Sequence, residues 1–174
     1  MFRIISVVAV LAIFALANGI VAATSNEEPS QPVVPVAGSF ENEPLVIIVN
    51  KSNPVDNISF EELRNIFLAE RRHWSNGRNI VLVMRNPGQP ERAKILKLVY
   101  RMSESSFNRH FLQASFTGNN QEAPKLLATS AGVRRFVFHV PGAIGYVQAS
   151  ELDDSVKPVR IDGRSPSDPG YRIR

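Results

Sequence analysis

The residues best placed to do chemistry lie in the string Met84-Arg85-Asn86-Pro87-Gly88-Gln89-Pro90-Glu91. An apolar, strand-like run ends there, a Pro-Gly turn follows, and a helical segment begins. Backbone N–H groups left free at such a junction, together with the positive end of a helix, can hold an anion, and Arg85 can pair with it. The same residues also suit a plain strand-to-helix connection. Three of them work against an anion: Pro90 has no N–H, Gln89 offers no short hydroxyl, and Glu91 places a negative charge in the first turn. The repulsion from Glu91 is worth about as much as the ~0.3–1 kcal/mol that a helix dipole contributes.

Other chemistries find less support. His73, His110 and His139 are scattered, with no i,i+4 pair and no His-Glu-x-x-His spacing, so a metal site is not expected. The chain has no cysteine, which removes disulfides, thiolate nucleophiles and iron–sulfur clusters. It carries no Gly-x-Ser-x-Gly elbow, phosphate-binding Gly-rich loop or dinucleotide fingerprint, so neither catalysis nor a cofactor is expected. Trp74 follows Arg71-Arg72-His73 and reads either as an aromatic platform with a cationic rim or as a lid closing the core. Phe116-Thr117-Gly118-Asn119-Asn120 offers a hydroxyl and two amides to a cleft, or forms a turn. The two glycines of Pro141-Gly142-Ala143-Ile144-Gly145-Tyr146 predict close backbone approach at the entry to a strand.

These residues need a scaffold, and 174 residues with 44% hydrophobic content suffice for one globular domain. With 21% charged residues and a net charge of +4, the chain lacks the dense basic stripe of a nucleic-acid binder. Arg3 precedes the uncharged stretch Ile4 to Ala23, which Asn18-Gly19 interrupts and Val21-Ala22-Ala23 closes with small residues. That is the pattern of a secretory signal peptide over residues 1–23; the alternative is an uncleaved single-span anchor. Cleavage leaves no membrane insertion and places the protein in the periplasm. Residues 24–43, with three prolines and no apolar periodicity, read as a flexible linker.

From residue 44 to residue 163, apolar strands alternate with helical segments. Leu45 to Val49, Ile80 to Met84, Ala143 to Val147 and Val156 to Ile161 are the strands. Ser59 with Glu62 signals a capping box for a helix bearing Phe60, Leu63, Ile66 and Phe67 and ending near Glu70. Pro90 opens a second helix running to Met102. A third starts at Ser103, with Phe107, Phe111 and Leu112 facing inward. Pro124 opens a short helix carrying Leu126 and Leu127, and Ser130 caps one carrying Val133, Phe136 and Val137. The fold expected is α/β, a mixed sheet with helices on both faces. Residues 164–174 read as a mobile basic tail.

Together these segments resemble the solute-binding proteins of phosphate ABC transporters. The resemblance spans about residues 44–163. It rests on Leu45 to Asn50 with Asn53-Pro54, on the helix from Phe60 to Phe67, on Trp74 and Gly77 before Ile80 to Met84, on Arg85, on Phe116-Thr117-Gly118, and on Pro141 to Val147. It implies one lobe of a periplasmic binding protein type 2 fold, without catalysis. It also implies phosphate or another small oxyanion as ligand, and an ABC permease or an envelope sensor as protein partner. Arg85 and Gly88 match the family's anion motif, whereas Pro87 stands where the motif has Asp and Gln89-Pro90-Glu91 where it has Ser-Gly-Thr. The ligand residues so implied are Arg85, Gly88, Gln89, Thr117 and Gly118. The competing reading is a lobe that has lost its ligand and docks on an envelope partner, with Arg71, Arg72 and Trp74 as contacts.

Overall fold

Leu45-Val46-Ile47-Ile48-Val49 carries apolar side chains at both parities, so a strand there must be covered on both faces. The computed structural model describes residues 43–116 and 123–174. The chain divides into two units, Met1–Val34 and Pro35–Arg174, and the described residues all belong to the second. The signal segment, the linker up to residue 42, and Thr117 and Gly118 lie outside the described residues.

Strand β1, Leu45–Val49, is buried at every position. Its alternate side chains enter two separate cores. Leu45, Ile47 and Val49 join Phe60, Leu63, Phe67, Trp74, Tyr100 and Tyr146 on one face, whereas Val46 and Ile48 meet Val133, Val137 and Val147 on the other. Five further strands complete the sheet among the described residues: β2 (Asn57–Ile58), β3 (Val81–Arg85), β4 (Lys125–Leu127), β5 (Ala143–Gln148) and β6 (Lys157–Ile161), in the order β2-β6-β1-β5-β3-β4. β1 runs antiparallel to β5 and β6, with Ile47 opposite Tyr146 and Val159. β3 runs parallel to both β4 and β5. The sheet is therefore mixed, with helices on both faces, as the run pattern requires.

The first core is roofed by α1 (Phe60–Phe67), by α2 (Pro90–Ile95) with a π-helical continuation over Leu96–Tyr100, and by α3 (Glu104–Phe116). The Ser59 hydroxyl accepts from the Glu62 N–H at 3.1 Å and starts α1. The helix stops at Phe67, short of Glu70, because Ala69 takes a left-handed φ of 57°. In α3 the inward stripe is Phe107, Phe111 and Ala114 at i, i+4, i+7, so Leu112 stands off it and is 59% exposed, against the expectation. The second core is covered by α4 (Ser130–His139), whose cap is Thr129 rather than Ser130: the Thr129 hydroxyl accepts from Gly132 N–H at 3.0 Å. Gly145 lets α4 sit on the sheet, since a Cβ there would lie 2.9 Å from Val133 Cγ1. At Gly142 a Cβ would collide with the Asn79 carbonyl.

Two further expectations are overturned. Lys125–Leu127 is strand β4, not a short helix, because its three residues are fewer than one helical turn while the edge of β3 offers them a parallel ladder from Val83↔Lys125 to Arg85↔Leu127. The C-terminal residues are packed rather than loose. Tyr171 and Ile173 are buried, Leu45 N–H donates to Ile173 O at 2.9 Å, and the Tyr171 hydroxyl donates to Leu45 O at 2.9 Å. The period-2 alternation Tyr171-Arg172-Ile173-Arg174 is a strand pattern, and it places two apolar side chains in the first core while Arg172 lies over the Phe60 ring.

Candidate functional site

Parallel strands β3, β4 and β5 end on one edge of the sheet. The helix that follows β3 packs on the first core and the helix that follows β4 packs on the second. The chain thus leaves these neighbouring strands in opposite directions, which makes their carboxyl ends a topological switch point, the usual ligand position of open α/β sheets. Arg85 is the last residue of β3, and Asn86 N–H extends the pairing by donating to Leu127 O at 3.0 Å.

The turn after Arg85 has a simple origin. Pro87 sets one backbone angle, Gly88 supplies a φ of 85°, and Gln89 N–H closes the turn on Asn86 O at 3.3 Å. Pro90 then enters α2 at its first position, and Gln89, its cap, makes no side-chain capping bond. α2 has only six residues before its hydrogen bonding widens, and its first residue lacks an N–H, so the site rests on Arg85 rather than on a helix end.

The Arg85 side chain folds inward. Its Nη2 donates to Gln89 Oε1 at 3.0 Å, and its Nε lies 3.7 Å from Glu91 Oε2, beyond hydrogen-bond range, with both side chains 8% exposed. Arg85 Nε, Arg85 Nη1 and Glu91 Oε2 are buried without hydrogen-bond partners. The backbone of Arg85 is held on two sides. Its N–H donates to the Tyr146 phenolic oxygen at 3.1 Å, and its carbonyl accepts from Arg92 Nη1 at 3.1 Å. Arg92, 1% exposed, also donates to both Glu104 oxygens at 2.9 and 2.7 Å and lies over the Phe107 ring. Hydrogen bonds from Arg92 hold the Glu104 carboxyl below its ordinary pKa. Burial raises the Tyr146 phenol well above its own, so it stays neutral.

The structure thus brings Arg85, Gly88 and Gln89 together. Gly88 and Gln89 also border an open depression of about 440 Å³ that continues along Ala93, Leu96 and Lys97 to Met102. Trp74 is no ligand platform: it is buried, and its Nε1–H donates to Gly142 O at 3.0 Å, which closes the core. Arg71 pairs with Glu62 and donates to His73 O, and Arg72 Nε faces Ala69 O. Among the described residues no group of three His, Asp or Glu side chains could hold a metal ion. No helix among them is long and apolar enough to cross a membrane.

Sequence reasoning did not find Glu91 as a partner of Arg85, nor Arg92 and Tyr146 as its supports. The pairing depends on the turn at Gly88 folding α2 back over β3. Local sequence carries no signal for it: the burial of Glu91 and Arg92 beside Ile95 is a property of the fold.

The family model for the PBP superfamily domain matches residues 39–164. The chain belongs to that superfamily. This PBP domain is similar in structure to an ABC-type phosphate transport receptor from Vibrio cholerae, with 19% identity and a TM-score of 0.59 over 72% of this chain and 48% of that one. It is similar to a putative phosphate ABC transporter substrate-binding protein with bound phosphate from Clostridium perfringens, at 22% identity and a TM-score of 0.59 over 71% and 47%. PstS from Borrelia burgdorferi matches at 16% identity with a TM-score of 0.59 over 75% and 54%. At these identities the likeness establishes the PBP fold. The chain spans about half the length of these solved structures.

Proposed function

We propose that this PBP domain is an exported, non-catalytic solute-binding protein that holds a small oxyanion, phosphate, at Arg85, Gly88 and Gln89. Thr117 and Gly118 complete the site in this reading. The observation that carries it is the buried Arg85 guanidinium at the switch point, with two N–H groups lacking partners. Buried donors of that kind call for an acceptor, and an oxyanion supplies two. The names of the similar solved structures, which include one with bound phosphate, favour the same ligand. Export through residues 1–23 places the protein in the periplasm, where an ABC permease or an envelope sensor is its partner.

One observation favours a second reading, in which the domain holds no solute and docks on an envelope protein: Gln89 and Glu91 already engage the Arg85 side chain. Thermal unfolding with phosphate, sulfate or chloride at matched ionic strength separates the two. Ligand at about 100 times its dissociation constant adds about 2.7 kcal/mol, which for a domain of this size raises the midpoint by roughly 5–10 °C. A phosphate-specific rise that disappears in Arg85→Met supports the oxyanion site. No rise with any anion, in the wild type and in Glu91→Gln alike, supports the docking module.

A further inference from the structure

We infer that Glu91 is a built-in counter-ion that competes with solute for Arg85 and thereby sets the affinity of this site. The inference rests on the oxyanion reading above. Arg85 and Glu91 are both withdrawn from water, and a charge so placed requires a compensating partner. Glu91 supplies it from within the chain, because the Gly88 turn folds the start of α2 back over the end of β3. The compensation is incomplete. At 3.7 Å the carboxylate neutralises the guanidinium without accepting a hydrogen bond from it, and Arg85 Nε, Arg85 Nη1 and Glu91 Oε2 all remain unpaired.

A tetrahedral oxyanion accepting from Nε and Nη1 makes the bonds that Glu91 leaves unmade, but its charge cannot share that buried space with the carboxylate. Solute therefore binds by displacing Glu91 toward the surface, and the cost of that displacement lowers its affinity. Gln89 ties Nη2 at 3.0 Å and, with Gly88, borders the open depression. Arg92 and Tyr146 hold the Arg85 backbone still, so the exchange involves side chains only.

The test is titration calorimetry of the purified protein with inorganic phosphate at low ionic strength. The samples are the wild type, Glu91→Gln, Glu91→Ala and the double variant Arg85→Met/Glu91→Gln, which carries neither buried charge. Thermal midpoints are recorded alongside. Glu91→Gln is expected to bind phosphate at least tenfold more tightly than the wild type. Its midpoint without phosphate should fall, because Arg85 has lost its counter-ion, and should recover when phosphate is added. The double variant should bind none. Binding by Glu91→Gln alone, with an inert wild type, also supports the proposal. Wild-type binding that both Glu91 variants leave unchanged or weaken overturns the counter-ion role and leaves the oxyanion site standing. Failure of the wild type and of both Glu91 variants to bind overturns the oxyanion site itself. Glu91→Ala keeps the test decisive where Glu91→Gln does not fold.

Discussion

Replacing Ile173 by Ala tests whether the C-terminal segment belongs to the fold. The Ile173 side chain is 0% exposed, lies in the core that contains Leu45 and Phe60, and follows a residue stacked on the Phe60 ring. Truncation to Ala removes three carbons. At about 0.8 kcal/mol per buried CH₂ the transfer loss is about 2.4 kcal/mol, and an unfilled cavity brings the total to about 3–4 kcal/mol. For a domain of this size that lowers the thermal midpoint by roughly 6–15 °C. A stop codon after Gly170 goes further. It removes Tyr171 and Ile173 together with two hydrogen bonds at the Leu45 backbone, in which Leu45 N–H donates to Ile173 O and the Tyr171 hydroxyl donates to Leu45 O. The assay is thermal unfolding followed by fluorescence of Trp74, the one tryptophan, which is buried and becomes exposed on unfolding. A midpoint within 1 °C of the wild type in both variants would refute the packing argument and return these residues to the status of a loose tail.

Gly145→Ala brings a Cβ to 2.9 Å from Val133 Cγ1 and should cost about 1–3 kcal/mol in denaturant titration, with partial recovery in Gly145→Ala/Val133→Ala. Glu104→Gln takes the carboxylate from the buried Arg92 and should cost about 1–3 kcal/mol at neutral pH, toward the lower end because Glu104 is partly exposed. Since Arg92 depresses the Glu104 pKa in the folded state, the stabilisation is full above the unfolded value of about 4.5 and is lost as pH falls through the lower folded value. The stability gap between wild type and Glu104→Gln should therefore close on acidification below pH ~4.5, and a gap independent of pH would contradict the pairing. Trp74→Phe forfeits the indole bond to Gly142 O, which keeps the donation from Val81 N–H at 3.1 Å; a loss of about 0.5–1.5 kcal/mol is expected, with no change in anion response.

Much of the scaffold is written locally. The run Leu45 to Val49 requires cover on both faces, and it receives two cores. Ser59 and Phe60 to Phe67 specify a capped amphipathic helix from side chains within one turn of each other, and Gly142 and Gly145 mark the two places where backbone or helix comes too close for a Cβ. The glycines signal close approach, though the partners they meet, Asn79 and Val133, come from the fold; the run and the capped helix depend on residues near in sequence, so periodicity and turn chemistry suffice to read them. The position of Arg85 at the end of a strand, beside a Gly turn, is legible for the same reason.

What the tertiary structure decided involves partners distant in sequence. Lys125–Leu127 is too short to carry a periodicity and became a strand because β3 had a free edge beside it. Tyr171 and Ile173 found their places against Leu45, 126 positions away from Tyr171. The fold turned the Arg85 side chain away from solvent, inward to Glu91 and Gln89, and held its backbone with Tyr146 and Arg92. The sequence by itself determined that an arginine would stand at the carboxyl edge of a mixed sheet. Only the folding of α2 over that edge decided which charge it would meet there, because the direction of a buried side chain is chosen by the charges and cavities around it and not by its neighbours along the chain.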